Sequence, residues 1–340
     1  MVFVPVLDKN NLPLMPTKPS RARRWIRAGR ATPFYRKGIY CVRLKSNASG
    51  DHKQEVVIGI DPGSKREAYT IKSEAHTYLN ILTGTPHWVK DAVEQRRIMR
   101  RARRFRKTRR RPTRFNNRKA KKLAPSTRAR WQLKLNVCKF LKKLFNITRF
   151  IIEDIRAKAR KNAKKWNKSF SPLEVGKKWF YGELGSLGRV YTKQGYETKA
   201  LRDIAELKKN KSKLVDKFEC HNVDSWVLAN WLIGGHITPD NTEMIKYVPL
   251  RFHRRQLHVM VPSKGGIRRE YGSTRSMGLK RGSLVFHKKY GYVYIGGTSK
   301  GRISVHELNT GKRLAQNIKL EDVRFKTYSG YRRVENSSLC

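Results

Sequence analysis

"VVIGIDPGSK", residues 56–65, is an apolar run that closes on a carboxylate and breaks at Pro62-Gly63. A short apolar segment bounded by turn residues reads as a buried strand. The chain holds 25 Asp and Glu against 78 Lys and Arg, so an acid at the end of such a strand needs a reason, because a buried charge needs a partner. "EAYTIKS" and "HTYLNILTG" follow, two β-rich runs joined by a short turn. With residues 56–61 they predict a three-strand meander, the start of a sheet core.

Upstream, residues 2–7 read as a strand, "DKNN" as a turn and "PSRARRWIRAGRA" as a basic helix ended near Gly29. Extended "ATPFYRK" and "IYCVRLK" complete a compact basic module, closed by the polar linker "SNASGDHKQE". Downstream, residues 96–114, "RRIMRRARRFRKTRRRPTR", hold 12 Lys or Arg in 19 positions, 11 of them Arg. Such a run is commonly a solvated or disordered tail. Here Ile98, Ala102 and Phe105 recur at helical spacing and Pro112 supplies a stop, which predicts a helix with one apolar stripe and arginines around the rest. Arginine suits bidentate phosphate contacts and stacking.

Residues 126–145 read as an amphipathic helix with Ser126 as N-cap and Trp131, Leu135, Cys138, Leu141 and Phe145 on one face. "RFIIEDI", residues 149–155, reads as a second buried strand, again acidic at its far end. A Lys-rich stretch with Trp166, Phe170, Trp179, Phe180 and Tyr181 follows, suited either to backbone tracking with stacking or to a local core. From about residue 236 the composition turns to Gly and β-formers, predicting a small antiparallel β domain.

At 340 residues and 38% hydrophobic content the chain can fill two or three domain cores. A formal net charge of +53 calls for a polyanion as neutraliser, hence nucleic acid. Cys41, Cys138, Cys220 and Cys340 form no C-x-x-C pair, so neither a disulfide framework nor a zinc knuckle is implied. The absence of a long apolar stretch and of signal-peptide order at "MVFVPVLDKN" predicts a soluble cytoplasmic protein with no membrane partner.

Three polar clusters stand out from apolar surroundings: Asp61, the pair Glu153-Asp154, and "HNVD" with His221 and Asp224. The last opens a helix on which His221, Asp224, Leu228 and Trp231 share a face. If that helix packs on the sheet so that Asp224 approaches the ends of the acidic strands, three carboxylates converge. Each like-charge pair at about 4 Å costs roughly 1 kcal/mol in water and about 4 kcal/mol at an effective dielectric of 20. Divalent cations that prefer oxygen, Mg²⁺ or Mn²⁺, relieve such a cluster. Two ions about 3.5 to 4 Å apart hold the attacking water and leaving oxygen of a phosphodiester in line. Taken singly, Asp61 fits a turn, Glu153 a salt bridge and His221 a satisfied core histidine. Alternation places Glu153 and Asp154 on opposite faces without choosing between them.

"IGIDPGSK", "FIIEDI" and "HNVDS" resemble the first, second and third RuvC motifs of RNase H-like nucleases. "PLMP" at residues 13–16, the arginine-rich segment, and "GGIRREYGSTRSMGLKRGSLV" with "KYGYVYIGGTSKGRISVHELNTGKRL" resemble the transposon-encoded IscB and IsrB group. Only 67 residues separate Glu153 from His221 and none is histidine, so the chain is similar to the IsrB branch, which lacks the HNH nuclease. The resemblance implies an α/β fold: an RNase H-like (RuvC) mixed-sheet core, an arginine-rich bridge helix, an N-terminal α+β PLMP module and a C-terminal antiparallel β domain. The implied divisions are 1–55 for the PLMP module, binding guide-RNA scaffold, and 56–92 for the first RuvC part. They continue with 93–125 for the bridge helix, 126–235 for the remaining RuvC parts, and 236–340 for the β domain.

The implied activity is that of a Mg²⁺-dependent nickase, a monomer in a ribonucleoprotein with a large ωRNA. It recognises double-stranded DNA beside a short target-adjacent motif and cuts the displaced non-target strand. Asp61, Glu153 and Asp224 would ligate two Mg²⁺ (or Mn²⁺) ions, and His221 would orient or deprotonate water. Arg96, Arg97, Arg100, Arg101, Arg103, Arg104, Arg106, Arg109 and Arg110 would contact guide RNA and heteroduplex. Arg268, Arg269, Arg275, Lys280 and Arg281 would contact the motif or its duplex. In such systems guide pairing reads sequence while protein holds backbone. Two other readings remain at this stage: a structural RNA-binding protein whose acids only form salt bridges, and an unguided junction resolvase with the same metal site.

Overall fold

The structure, a computed structural model, describes residues 3–47, 50, 53–86, 88–106, 123, 125–157, 171–210, 212, 215–249, 260–261, 266–267, 275–308, 310–327 and 331–334. Two compact units form, Met1–Val248 with Arg333–Cys340, and Pro249–Arg332. Elements are mixed α and β, with mixed sheets. Among the described residues no helix is long and apolar enough to cross a membrane.

The N-terminal run pairs as a strand only over β1 (Val6–Leu7); Val4 and Leu7 add single bridges to Thr17 and Pro13. Helix α1 (Pro19–Arg27) starts on a proline whose missing N–H costs a first turn nothing. It buries Ala22 against Val4, Val6, Ala31 and Val42 and leaves its arginines exposed. Strands β2 (Ala31–Arg36) and β3 (Ile39–Leu44) close the sheet in the order β1-β3-β2.

The expected meander is β4 (Val56–Asp61), β5 (Arg66–Lys72) and β6 (Thr77–Gly84), antiparallel in sequence. Helix α2 (Trp88–Phe105) begins eight residues before the predicted start at 96, anchored there by buried Val89. Of its predicted stripe, Ala102 is half-buried while Ile98 and Phe105 are 55% and 90% exposed. Pro112 lies outside the described residues. Helix α3 (Pro125–Lys142) buries Trp131, Leu135, Cys138 and Leu141. It ends three residues before Phe145, which is buried from the following turn. The second acidic strand is β7 (Ile147–Asp154), parallel to β4.

Helix α4 (Pro172–Gly185) is capped by Ser171, whose Oγ accepts from the Glu174 N–H at 3.0 Å. Its Phe180 is buried 5.7 Å from Trp131 on α3. After β8 (Arg189–Gln194) come α5 (Gly195–Ile204), α6 (Phe218–His221) and α7 (Val223–Ile233). Strand β9 (Met244–Pro249) runs parallel to β6.

In the second unit, short pairs β10 (Met260–Val261) with β11 (Gly266–Ile267) and β12 (Arg275–Ser276) with β13 (Leu279–Lys280) precede a five-stranded antiparallel sheet. That sheet comprises β14 (Leu284–His287), β15 (Gly291–Ser299), β16 (Arg302–Glu307), β17 (Arg313–Ile318) and β18 (Val323–Thr327), in the order β17-β16-β15-β14-β18. Val285, Val293, Ile295, Ile303 and Val305 form its core. Strand β19 (Tyr331–Val334) completes the seven-stranded sheet of order β19-β9-β6-β5-β4-β7-β8. The compositional shift near residue 236 thus precedes β9, which pairs within the central sheet.

Helix α7 is buried from Val223 to Ala229, with its polar Asp224 and Ser225 engaged by partners. It lies on β4 because Gly59 has no side chain: a Cβ there would collide with the Ser225 carbonyl, with the Ala229 nitrogen at 3.0 Å. Ser225 Oγ meets Thr70 Oγ1 at 2.8 Å across the same contact. Overpacking of this kind costs about 1–3 kcal/mol. Gly59→Val is therefore expected to lower the melting temperature by several degrees and to lift α7, read by circular dichroism and by loss of divalent-ion binding.

Candidate metal centre

Parity along two strands and one helix turn builds the site. In β4, Asp61 and Gly59 share the face that α7 covers; register pairs Gly59 with Ile151, so Glu153 of β7 shares it too. Asp224 stands in the first turn of α7. One carboxylate oxygen from each of Asp61, Glu153 and Asp224 lies within 4.8 Å of the others. The acids spaced along 163 positions, from 61 to 224, do converge.

Their electrostatics follow from crowding. Burial first, and then the neighbouring Asp224 charge against the relief from Lys209, holds Asp61 above the usual carboxylate range. Burial first, then the charge of Asp61, a side-chain hydrogen bond with Asp61 and the charge of Asp224, pushes Glu153 up to about 8. Gly195 at the start of α5 leaves room for this carboxyl: a Cβ there would sit 2.9 Å from Glu153 Oε1.

Asp154 points to the other face. It accepts from Tyr181 Oη at 3.0 Å, Gln194 Nε2 at 2.8 Å and Lys177 Nζ at 2.9 Å. Burial alone would raise it, but these donors hold it below the ordinary range. The choice between the two adjacent acids, open in the sequence, is made by strand parity.

Two cations that sequence reading missed complete the centre. Lys209 Nζ lies 3.4 Å from Asp61 Oδ2 and ion-pairs with Asp224 Oδ2, while Arg202 of α5 pairs with Asp224 Oδ1 at 2.5 Å. Burial works against the Lys209 charge, yet Asp61, Asp224 and Glu153 together raise its pKa. Nothing marked either residue: Lys209 stands in the run "LKKNK" and Arg202 in an ordinary helical "LRDI".

His221 is buried, but the helix expected to carry it together with Asp224 is broken. α6 ends at His221 and α7 begins at Val223. Between them buried Asn222 donates to the carbonyls of Tyr69 (3.2 Å) and Ile81 (3.3 Å). Asp224, Leu228 and Trp231 remain on one helix, and Trp231 near its end is 45% exposed and carries Lys193 Nζ 4.2 Å from its ring. His221 Nε2 lies 2.9 Å from Arg66 Nη1 and 3.0 Å from the Val215 carbonyl oxygen. Arg66 in turn ion-pairs with Asp216. Burial, then the Arg66 charge, lowers the His221 pKa, so its imidazole is neutral at neutral pH.

Of the other candidates, Arg97, Arg100, Arg101, Arg104 and Arg106 are exposed on and just after α2. Arg109, Arg110, Arg268 and Arg269 lie outside the described residues, as do the side chains of Arg96, Arg103 and Arg275. Lys280 is exposed, and Arg281 is half-buried with Nε 3.2 Å from Ser276 Oγ.

The donor set of the three-carboxylate group is oxygen alone, which suits Mg²⁺ or Mn²⁺ better than thiophilic or imidazole-seeking ions. The proton held by Glu153 and the ammonium of Lys209 mark the negative charge such an ion would neutralise.

The model of the RRXRR protein family matches residues 4–169, just under half of the chain, spanning β4 and β7. Among solved structures, T. thermophilus RuvC in complex with Holliday junction substrate is similar at 14% identity and a TM-score of 0.27. The likeness covers 53% of this chain and 96% of that one. No curated protein matches.

Two outcomes are expected. A Glu153 that keeps its proton to about pH 8 in the fold, but only to about 4.5 when unfolded, makes the unfolded state the weaker proton binder between those values. Stability of the metal-free protein then falls as pH rises through that window, and Glu153→Gln flattens the slope in melting curves. Lys209→Met removes the cation that competes for Asp61 and Asp224; Mn²⁺ binding by calorimetry should tighten, about tenfold per 1.4 kcal/mol of competition removed.

Proposed function

We propose that this chain is an RNA-guided DNA endonuclease of the IsrB type, a nickase that hydrolyses one strand of a DNA duplex opened by a guide RNA. The observation that carries the reading is the convergence of Asp61, Glu153 and Asp224 on one oxygen-lined site in a protein of net charge +53. The RRXRR match over residues 4–169 and the order of the three acidic motifs support it.

Asp61, Glu153 and Asp224 would hold two divalent ions, Mg²⁺ with Mn²⁺ as substitute. When bound, such ions supply an activated water and charge neutralisation at a phosphodiester. The chain's own residues do the rest. Strands β4 and β7 and the first turn of α7 fix the carboxylates, so little reorganisation is needed at the moment of reaction. Neutral His221 would orient the attacking water or take its proton. Lys209 and Arg202, which pair with these carboxylates, would remain as cations available to the DNA backbone. Arg97, Arg100, Arg101, Arg104 and Arg106 present an exposed basic helix to guide RNA and heteroduplex, with Arg96, Arg103, Arg109 and Arg110 in the same run. The 1–55 module takes the ωRNA scaffold. The β domain, with Arg268, Arg269, Arg275, Lys280 and Arg281, meets the duplex at the target-adjacent motif. Binding through so many phosphates falls steeply with salt.

The test is nicking by the purified ribonucleoprotein on duplex DNA matching its bound RNA. One strand should be cut, only with Mg²⁺ or Mn²⁺, and Asp61→Ala should abolish cutting while leaving RNA retention intact. Cleavage of branched DNA without RNA would replace the guided reading with a resolvase. RNA binding without cleavage in either metal would end the nuclease reading.

A further inference from the structure

A second group of ligand atoms lies at the other end of β5 from Asp61. Asp61 pairs with Ala68 and Val57 with Lys72, and just past Lys72 the turn into β6 carries His76. The chain leaving α7 brings His236 and Asp240 to the same place. One ligand atom from each of the three lies within 4.8 Å of the others.

Backbone groups already hold these side chains in position. Asp240 Oδ1 accepts from the Thr77 N–H at 2.9 Å, which turns Oδ2 toward His76 Nδ1 at 3.2 Å. His236 Nε2 lies 2.7 Å from the Ala75 carbonyl oxygen, so that nitrogen carries the proton and donates, leaving Nδ1 its lone pair. This is the carbonyl-supported arrangement of metal-ligating histidines. The His76 ring packs 4.8 Å from Phe3 and 6.3 Å from the His236 ring, centroid to centroid.

The two segments are fastened independently of any ligand. Lys72 Nζ donates to the Gly234 carbonyl at 2.6 Å, and Asn241 Nδ2 donates to that of Thr77 at 3.2 Å. Gly235, at φ +104°, lies where a Cβ would collide with the Glu74 carbonyl. A preformed site of this kind loses little freedom on binding.

We propose that His76, His236 and Asp240 form a binding site for a transition-metal dication of the Zn²⁺ class, separate from the carboxylate centre. Two imidazole nitrogens and one carboxylate oxygen select Zn²⁺, Co²⁺ or Ni²⁺ over Mg²⁺. The exposure of His236 and Asp240 leaves a fourth position to water. The ion takes the place of the proton between His76 and Asp240. It cross-links the β5–β6 turn to the exit of α7, so its role is to stiffen the sheet end remote from Asp61.

The experiment is a Co²⁺ titration of the chelator-treated full chain, followed by visible absorption and by melting temperature. One equivalent should give the intense bands of four-coordinate Co²⁺, and Zn²⁺ should abolish them and raise the melting temperature. The bands should persist in Asp61→Asn with Asp224→Asn and vanish in His236→Ala and Asp240→Asn. These last two are surface changes, whose folding is checked by an unaltered metal-free circular dichroism spectrum. Absence of the bands in the unmodified chain, their survival in His236→Ala, or their loss with Asp61 and Asp224 would each overturn the proposal.

Discussion

Three carboxylates held within 4.8 Å of one another repel, and the surrounding structure exists to keep them there. Asp61 and Glu153 are fixed by the hydrogen-bonded register of two parallel strands, and Asp224 by a helix that the absence of a side chain at Gly59 lets down onto the sheet. Buried Asn222 ties the start of that helix to two strand carbonyls, and Ser225 ties its first turn to Thr70. On the opposite face Glu67 of β5 is ion-paired with Lys134 of α3, both deeply buried. A broken pair there would leave an uncompensated charge in the core.

Positive charge is used in two ways. Most arginines of α1 and α2 are exposed and repel one another until a polyanion arrives. Lys209 and Arg202 are instead drawn inward by the acids they neutralise. The exposed population suits a polyanionic partner; the inward pair offsets the charge of the crowded carboxylates.

Asp61 was legible because an apolar run that ends on an acid is a rare local pattern in a basic chain. The meander was equally legible from alternation and turns. Glu153 and Asp154 could be assigned to opposite faces but not to the inner or outer one, since that depends on which helix covers which side, a tertiary fact. The role of Asn222 was hidden because "ECHNVDSW" reads as one continuous helix; its side-chain partners are carbonyls of strands far away in sequence. Lys209 was hidden for the converse reason, being one lysine among several in a run whose distinction is spatial. The early start of α2 reflects the burial of Val89, outside the window in which arginines dominate.

The parallel pairing of β4 with β7 has an evolutionary consequence. Parallel neighbours must be joined by a crossover, and here it contains the meander, the arginine helix and α3. Closing a loop costs only about 0.6 kcal/mol more for each doubling of its length. Ladder register, not linker length, sets the spacing of Asp61 and Glu153. Extra chain can therefore be accommodated within that crossover while Asp61 and Glu153 keep their places, making the scaffold a chassis for accretion.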